Sequence, residues 1–365
     1  MKREHFFRNK LRPFHKNVRL FPLFFFLLTA VVSCGGGGGD ILAGGGIGGT
    51  GNTSVGPITA LGSIFVNGIE FQTTNAMVTM NGVSSNEKEL QVGMVVKVDG
   101  TVNADGKTGK ADTVMFNDNA AGPITSIDYA DSTLAVMGQT VIVGAQTIFA
   151  GQTGNTPGLA GLTPNDMVAV SGMADANGNV MATRITLNAT GSKAQVSGRV
   201  SSLTATAFKI SALTVDYSKA KLNQFSSAGI RAGDIVNVTG KLTSPTTLLA
   251  DTVERMTFYC QDNYSTMFQG FIGTLYYTGQ SISGFDIITP FGLQRVDLDA
   301  STMISGGTLL KVGARVQVEG TVKDTIIQAR RVNLMNSMGM MGGKSTPMNP
   351  SPSDAWGMGF MNGSN

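Results

Sequence analysis

Residues 90–100, LQVGMVVKVDG, hold the pattern that decides the fold. Val96 and Val98 alternate with Lys97, and such alternation places apolar side chains on one face of a β-strand and polar side chains on the other. Gly93 stands in the turn before the strand, where a backbone with positive φ favours glycine. The stretch therefore predicts a turn followed by a half-buried strand that ends at a glycine.

The same turn and strand recur three more times along the chain. The copies read LTPNDMVAVSG (162–172), IRAGDIVNVTG (230–240) and LKVGARVQVEG (310–320). In the first of these copies Asn165 replaces the turn glycine, and asparagine is a common substitute for glycine at positive φ. The repetition indicates that one structural unit is used four times.

Two further landmarks flank every copy. Each repeat opens with a glycine that is followed two residues later by Ile or Val, at Gly56, Gly122, Gly198 and Gly270. After each strand comes an alanine that is followed three residues later by Val or Ile, at Ala111, Ala182, Ala250 and Ala329. Three landmarks in one order, four times, predict four tandem modules with bounds at 56–121, 122–190, 191–257 and 258–334.

Each module has room for about five short strands, which suits a small, partly open antiparallel barrel. Asp105-Gly106 and Asn177-Gly178 fall between strands as hairpin turns. A unit of this size is close to the limit at which a core becomes marginal, so we expect neighbouring barrels to pack against one another. The predicted fold is all-β: four small, partly open antiparallel β-barrels in tandem.

The three landmarks over residues 56–334 resemble a known group. These are bacterial envelope lipoproteins with tandem copies of the domain of unknown function 5666. The resemblance implies small OB-like β-barrels, secretion and a repeat architecture. It implies no activity, and it identifies no catalytic residue.

The N-terminal segment predicts secretion and lipidation. A basic start is followed by a short apolar core, Leu20–Val32, and by Ser33 and Cys34, which together are typical of a lipoprotein signal peptide over 1–33. The end of this segment resembles the lipobox of bacterial lipoproteins, so Cys34 is the predicted lipidation site. The alternatives are an ordinary signal peptide and an uncleaved anchor. The glycine-rich segment 34–55 predicts a flexible tether.

The resemblance also bears on localisation, because glycine after the lipidated cysteine resembles the signal for export past the inner membrane. We therefore expect an outer-membrane lipoprotein, on either the periplasmic or the surface side, which contacts the membrane through its lipid.

Removal of residues 1–33 changes the charge of the chain. Seven of the 27 basic side chains and one of the 24 acidic side chains lie there, so the mature chain carries a small net negative charge. This argues against a nucleic-acid partner, which requires a basic surface. His5 and His15 are the only histidines, and both lie in the signal, so the commonest general acid or base is missing. We expect no enzymatic activity, no cofactor and no metal.

Aromatic residues crowd the junction between the third and fourth modules. The tyrosines are Tyr259, Tyr264, Tyr276 and Tyr277, among Phe258, Phe268, Phe271, Phe285 and Phe291. The favoured interpretation is a core that seals the barrel interface, and the alternative is a platform for an envelope glycan or a protein partner. Adjacent residues of a strand point to opposite faces, so at most one of Tyr276 and Tyr277 belongs to a core. The outward tyrosine is the candidate ligand contact.

Three functions remain in consideration. A non-catalytic binding or scaffolding role at the cell envelope is preferred. A hydrolase of envelope polymers would use Asp/Glu chemistry, and Asp297 and Asp299 are a candidate pair on one strand face; a cleft that brings two carboxylates together would favour it. Cu(I) binding would use the segment 335–365, with Met335, Met338, Met340 and Met341 as weak candidate ligands. The composition of that segment favours a disordered tail.

Overall fold

The computed structural model describes residues 50–152, 158–187, 193–307 and 309–335. These residues form twenty-four β-strands and two short 3₁₀-helices, which confirms the all-β prediction. No helix in these ranges is long and apolar enough to cross a membrane. The predicted signal peptide, the predicted lipidation site Cys34, and the predicted ligands Met338, Met340 and Met341 lie outside the described residues.

The strands divide into four groups that match the four predicted modules. The first barrel contains β1 (Thr50–Ala60), β2 (Ile64–Val66), β3 (Ile69–Gln72), β4 (Met77–Met80), β5 (Val83–Ser85), a 3₁₀-helix (Glu87–Glu89), β6 (Val95–Val102) and β7 (Thr108–Phe116). The second contains β8 (Ala120–Asp128), β9 (Thr133–Val136), β10 (Gln139–Ala150), a 3₁₀-helix (Leu159–Gly161), β11 (Met167–Ala174) and β12 (Val180–Leu187).

The third and fourth barrels follow the same plan. The third contains β13 (Ala194–Arg199), β14 (Ala207–Ile210), β15 (Leu213–Asp216), β16 (Lys221–Asn223), β17 (Ile235–Ser244) and β18 (Thr247–Arg255). The fourth contains β19 (Ser265–Thr278), β20 (Ser281–Thr289), β21 (Gly292–Asp297), β22 (Met303–Ser305), β23 (Arg315–Lys323) and β24 (Ile326–Leu334).

Each barrel closes with the same pairing order. In the first barrel β1, β2 and β3 form an antiparallel meander, β3 runs parallel to β7, and β6 pairs antiparallel with both β7 and β1. This five-strand circuit is the OB topology. The second and fourth barrels repeat it. In the third barrel an isolated bridge between Ser201 and Lys209 completes the circuit.

The repeated turn has the predicted backbone in all four barrels. The residues at this position have φ near 90°, namely Gly93 at 90°, Asn165 at 73°, Gly233 at 92° and Gly313 at 81°. This conformation is open to glycine and tolerated by asparagine. The choice of residues at the turn therefore follows from sterics.

The glycine that closes each repeated strand has a separate cause. Gly100, Gly172, Gly240 and Gly320 each lie at a β-bulge. A Cβ atom at any of them would collide with the carbonyl oxygen of the facing strand, for example that of Lys110 opposite Gly100. The motif ends in glycine because two backbones approach there too closely for a side chain.

Strand pairing joins the four barrels in two pairs. β8 of the second barrel pairs antiparallel with β13 of the third, and the two barrels share one apolar cluster. β1 of the first barrel pairs parallel with β19 of the fourth, from Asn52 opposite Ser265 to Val55 opposite Phe268. We call these the near seam and the distant seam. Sequence analysis predicted packing between chain neighbours but did not predict that the first and last barrels share a sheet.

The distant seam corrects one predicted boundary. The tether was predicted to extend to residue 55, whereas Thr50–Val55 form the first half of β1. Asn52, Thr53, Ser54 and Val55 are buried there. Val55 of the first barrel packs in the apolar cluster of the fourth barrel. In return, Met267 of the fourth barrel packs against the apolar cluster of the first barrel. These small polar residues resemble a linker in sequence, but strand pairing on both sides satisfies their backbone groups.

The linker between the first two barrels is also buried and contacts the third. Asn81 Nδ2 donates to the Asp118 carboxylate (2.8 Å), and Gln195 Nε2 donates to the backbone carbonyl of Asp118 (3.2 Å). Asn119 Oδ1 accepts from the Gly172 N–H (2.8 Å). Burial raises the pKa of Asp118 to about 6, although the hydrogen bond from Asn81 acts in the opposite direction. The near seam is thus built around this linker.

Candidate functional site

A polar groove of about 620 Å³ lies on the first barrel. Three segments form it: the β1–β2 loop, the outer face of β3 with the residues after it, and the 3₁₀-helix with the residues that follow. The lining residues are Leu61, Gly62, Ser63, Ile64, Glu70, Gln72, Thr73, Thr74, Glu87, Lys88, Leu90 and Gln91. The groove is therefore built by one face of one module.

The β2–β3 hairpin explains how the groove side chains reach the surface. Asn67 and Gly68 form its turn, with φ of 56° and 81°, the positive values of a tight hairpin. The alternation along β3 then turns Phe71 into the core and leaves Glu70 and Gln72 on the other face. Strand periodicity fixes which side chains line the groove.

Two carboxylates line the groove, and neighbouring hydroxyls hold both of them. Ser63 Oγ donates to Glu70 Oε1 (2.5 Å), and Thr73 Oγ1 donates to Glu87 Oε2 (2.7 Å). Thr73 is itself buried. Lys88 is the only basic residue in the lining. The groove is acidic and rich in hydrogen-bonding groups.

The β6–β7 turn lies beside the same strand. The backbone N–H of Glu70 donates to the carbonyl of Lys107 (2.8 Å), so this turn adjoins the start of β3. Hydrogen bonds from the backbone N–H of Lys107 and from Thr108 lower the pKa of Asp105 in the turn. A third carboxylate therefore stays ionised on this side of the barrel.

Sequence analysis did not identify Glu70 or Glu87 as site residues. They lie in β3 and in the 3₁₀-helix, outside the three repeated landmarks, and no short motif marks them. The available signal was positional. In an OB barrel the second and third strands, with the loops between strands 1 and 2 and between strands 4 and 5, form the ligand face.

The predicted tyrosine pair lies at the far end of β19. The Tyr276 ring stacks on the Arg295 guanidinium, with 3.5 Å between Cζ and the ring centroid, and its hydroxyl donates to Asp286 Oδ2 (2.7 Å). This hydrogen bond raises the pKa of Tyr276. Tyr277 is 60% exposed, and a β-bulge separates the two residues. Neither ring is core, and Tyr277 is the outward member of the pair.

The other two predicted tyrosines lie elsewhere. Tyr259 is 68% exposed in the segment before β19. The Tyr264 ring covers Gly51 at the distant seam, where it occupies the position that a Cβ would take. Strand rise separates Tyr264 from Tyr277 by roughly 40 Å, so the four tyrosines do not form one platform. The phenylalanines Phe268, Phe271, Phe285 and Phe291 are buried, in line with the core interpretation.

The predicted carboxylate pair is not a site. Asp297 ends β21 and accepts a hydrogen bond from Arg295 Nε (2.8 Å). Asp299 lies beyond the strand, in a turn where it accepts hydrogen bonds from Ser301 and Thr302. The prediction that both lie on one strand face was wrong because the strand ends between them.

The described residues contain no group of three or more His, Cys, Asp or Glu side chains that could hold a metal ion. Met335 follows β24 and is half-buried, and the other predicted methionine ligands fall beyond the described residues. Cys260 is buried, and that burial raises the pKa of its thiol to about 12. The thiol is therefore protonated and unreactive.

The closed five-strand circuits define the class: a protein of tandem OB-like β-barrels. Residues 55–111, 121–186, 197–254 and 283–333, more than half of the chain, match the family described as "Domain of unknown function (DUF5666)". The chain belongs to this family.

Two other comparisons add little. No curated protein matches the chain. A solved structure titled "drosophila Unr CSD456" is similar over 60% of this chain and 98% of that one, with 15% identity and a TM-score of 0.16. A score this low indicates nothing about the fold or function of this chain.

Proposed function

We propose that this DUF5666 protein is a lipid-anchored, non-catalytic binding or scaffolding protein of the bacterial envelope, whose first barrel holds an envelope glycan. The observation that carries the proposal is the position of the groove. It lies on the β1–β2 loop, β3 and the 3₁₀-helix. The first two of these elements belong to the strands and loops with which OB barrels bind oligonucleotides and oligosaccharides.

Charge decides between those two ligand classes. Glu70 and Glu87 place negative charge in the groove, with Lys88 as the only basic residue of the lining. A phosphate backbone requires the opposite arrangement. Sugar hydroxyls donate well to carboxylates, and Ser63, Gln72 and Gln91 add further hydrogen-bonding groups. The exposed face of Leu61 supplies an apolar contact for a pyranose ring.

A binding measurement tests the groove. Full-length protein is titrated with soluble peptidoglycan fragments and with a glycan array, and Glu70→Gln and Glu87→Gln are each compared with wild type. Loss of a charged hydrogen-bond partner should weaken binding about tenfold or more. Glu89→Gln is the matched control, because Glu89 is an exposed residue of the same 3₁₀-helix that does not line the groove.

Three results would overturn the glycan assignment. One is unchanged affinity in both groove variants. Another is a loss of binding in Tyr277→Ala with the groove variants unaffected, which would move the contact to the fourth barrel. The third is capture of a protein partner through the groove, without any glycan binding.

The anchor is tested separately. The apolar core before Cys34 and the residues around it support lipidation and an outer-membrane location. Cys34→Ser should leave an unprocessed precursor that carries no lipid label. A cleaved and lipid-labelled Cys34→Ser protein in the membrane fraction would refute the lipoprotein assignment.

A hydrolase is the second candidate, because Glu70 and Glu87 line the same groove. Glycoside hydrolases use two carboxylates that flank the scissile bond. Release of reducing ends from peptidoglycan by the wild type, abolished in either glutamine variant, would establish this activity. Binding without release supports the non-catalytic role.

A further inference from the structure

A second cavity, of about 200 Å³, lies where the second, third and fourth barrels meet. Its walls come from the β11–β12 turn, the end of β13 with the β14–β15 turn, and the β20–β21 turn. Its lining includes Ala176, Ser197, Arg199, Ser211, Ile235, Ile288 and Pro290. Ligand pockets form preferentially at such domain interfaces.

Two polar side chains of the inner wall of this junction cavity, Gln139 and Ser197, are held by hydrogen bonds within the protein. Gln139 is buried, its Nε2 donates to the carbonyl of Ile210 (3.3 Å), and its Oε1 accepts from Ser211 Oγ (3.1 Å). Ser197 Oγ donates to Asn237 Oδ1 (3.1 Å). Because these polar groups are bonded within the protein, they do not require water molecules as hydrogen-bond partners. Ile235, Ile288 and Pro290 add apolar surface.

One charged group lines the cavity without a partner. Arg199 ends β13 and is exposed. Its guanidinium makes no ion pair and no hydrogen bond with any described residue. Asp175 also lines the cavity. Its carboxylate is engaged by its own turn, where it accepts from the N–H groups of Asn177 (2.8 Å) and Asn179 (2.9 Å). An available guanidinium pairs best with a planar carboxylate.

We propose that the junction cavity binds a small organic carboxylate, with its apolar body between Ile235, Ile288 and Pro290 and its carboxylate on Arg199. A cavity of about 150 Å³ accommodates benzene, so the ligand has roughly six to ten non-hydrogen atoms. Because the cavity belongs to three barrels, the ligand stabilises their association. This site is independent of the groove on the first barrel.

The test uses matched acids and amides on the full-length protein. Benzoate, isovalerate and cyclopentanecarboxylate are each compared with the corresponding neutral amide by calorimetry and by thermal unfolding. At least one acid should bind saturably and raise the melting temperature with concentration. The corresponding amide should bind at least about tenfold more weakly, because it cannot form the ion pair.

Variants locate the binding. Arg199→Gln should reduce the affinity for the acid to that for the amide. Arg231→Gln is the matched control, because Arg231 belongs to the same barrel but does not line the cavity. Ala176→Leu should fill the cavity and abolish binding of both compounds, with circular dichroism to confirm that the fold is retained.

Three results would overturn the proposal. They are equal affinity for acids and amides, full retention of acid binding in Arg199→Gln, and no binding of any acid at 10 mM. Glu70→Gln should leave the acid titration unchanged, so that failure at this site and failure of the glycan groove are distinguished.

Discussion

The near and distant seams join barrels by different means. At the near seam the strands share two residue pairs, Gln195 with Ala121 and Val196 with Ala120. The linker Asn117–Asn119 adds hydrogen bonds to β13, and the two barrels share a core. At the distant seam four consecutive residue pairs set the register. Separate apolar clusters meet there, each with one residue from the other barrel.

A polar network also marks the distant seam. Asn67 Nδ2 donates to the carbonyls of Val55 (3.0 Å) and Met267 (2.6 Å), and its Oδ1 accepts from Gln269 Nε2 (2.8 Å). Arg315 in turn donates to Gln269 Oε1 (3.1 Å). A short linker keeps neighbouring barrels at high local concentration. Barrels far apart along the chain lack that help, and specific contacts must set their register.

The largest expected effect is a loss of stability when a charge is placed in a core. It compares the core that two barrels share with the core of a single barrel. Val236→Asp places an unpaired carboxylate in the cluster common to the second and third barrels and should cost several kcal/mol. Both barrels should lose protection together in hydrogen exchange. Val114→Asp, in the cluster of the first barrel, should leave the third barrel protected. If Val236→Asp removes hydrogen-exchange protection from the third barrel alone, the shared cluster does not couple the second and third barrels.

The second prediction compares the apolar contacts of the two seams. Phe268→Ala at the distant seam should lower the free energy of unfolding by about 3–5 kcal/mol, because Phe268 is fully buried. Val196→Ala at the near seam removes two methyl groups and should cost roughly 2 kcal/mol. Urea unfolding measures both. A larger loss in Val196→Ala would reverse the ranking.

The third prediction concerns the buried carboxylate of the near seam. The pKa of Asp118 is raised to about 6 by burial, so folding favours the protonated form. Its stabilising effect is complete below the unfolded pKa of about 3.9 and is lost as the pH rises through about 6. Asp118→Asn should therefore stabilise the protein at pH 7.5, by at most about 3 kcal/mol. It should also remove the contribution of this carboxyl group to the change of stability between pH 4 and 6.

Unfolding curves at pH 4 and pH 7.5 measure this effect. Equal stabilisation by Asp118→Asn at both values would contradict the assigned titration. Asp112→Asn is the control, because Asp112 is exposed on β7 of the first barrel.

The smallest expected effect concerns the polar network of the distant seam. Asn67→Gly keeps the positive φ but removes the side-chain hydrogen bonds, and it should cost roughly 2 kcal/mol. Asn263→Gly is the matched control, since Asn263 also has positive φ (65°) and donates only through its backbone. Its stability should change by less than about 0.5 kcal/mol. Equal effects of the two variants would show that the network contributes nothing.

The local parts of this architecture follow from the sequence. The turn at Gly93 and the bulge at Gly100 recur because sterics restrict these positions in every barrel, so their pattern is visible without a structure. The buried phenylalanines of the fourth barrel follow from the same kind of reasoning, because large apolar side chains favour burial.

The pairing of the barrels does not follow from the sequence. Residues 51–54, GNTS, read as a linker because their side chains are small and polar. Pairing with β6 on one side and β19 on the other makes them a buried strand. The carboxylates Glu70 and Glu87 are brought together by the strand circuit, not by spacing along the chain. Contacts between modules leave no periodic signal.

The distant seam also sets an order of events during synthesis. The first barrel is synthesised before the fourth, so the edge of β1 that pairs with β19 stays open until the last module has been made and has folded. Open edges recruit other strands and aggregate. This unpaired edge of β1 carries Asn52, Thr53 and Ser54, which lack the apolar side chains that pack between aggregated strands. The polar composition that makes this strand hard to recognise in the sequence thus protects the partly synthesised chain from aggregation.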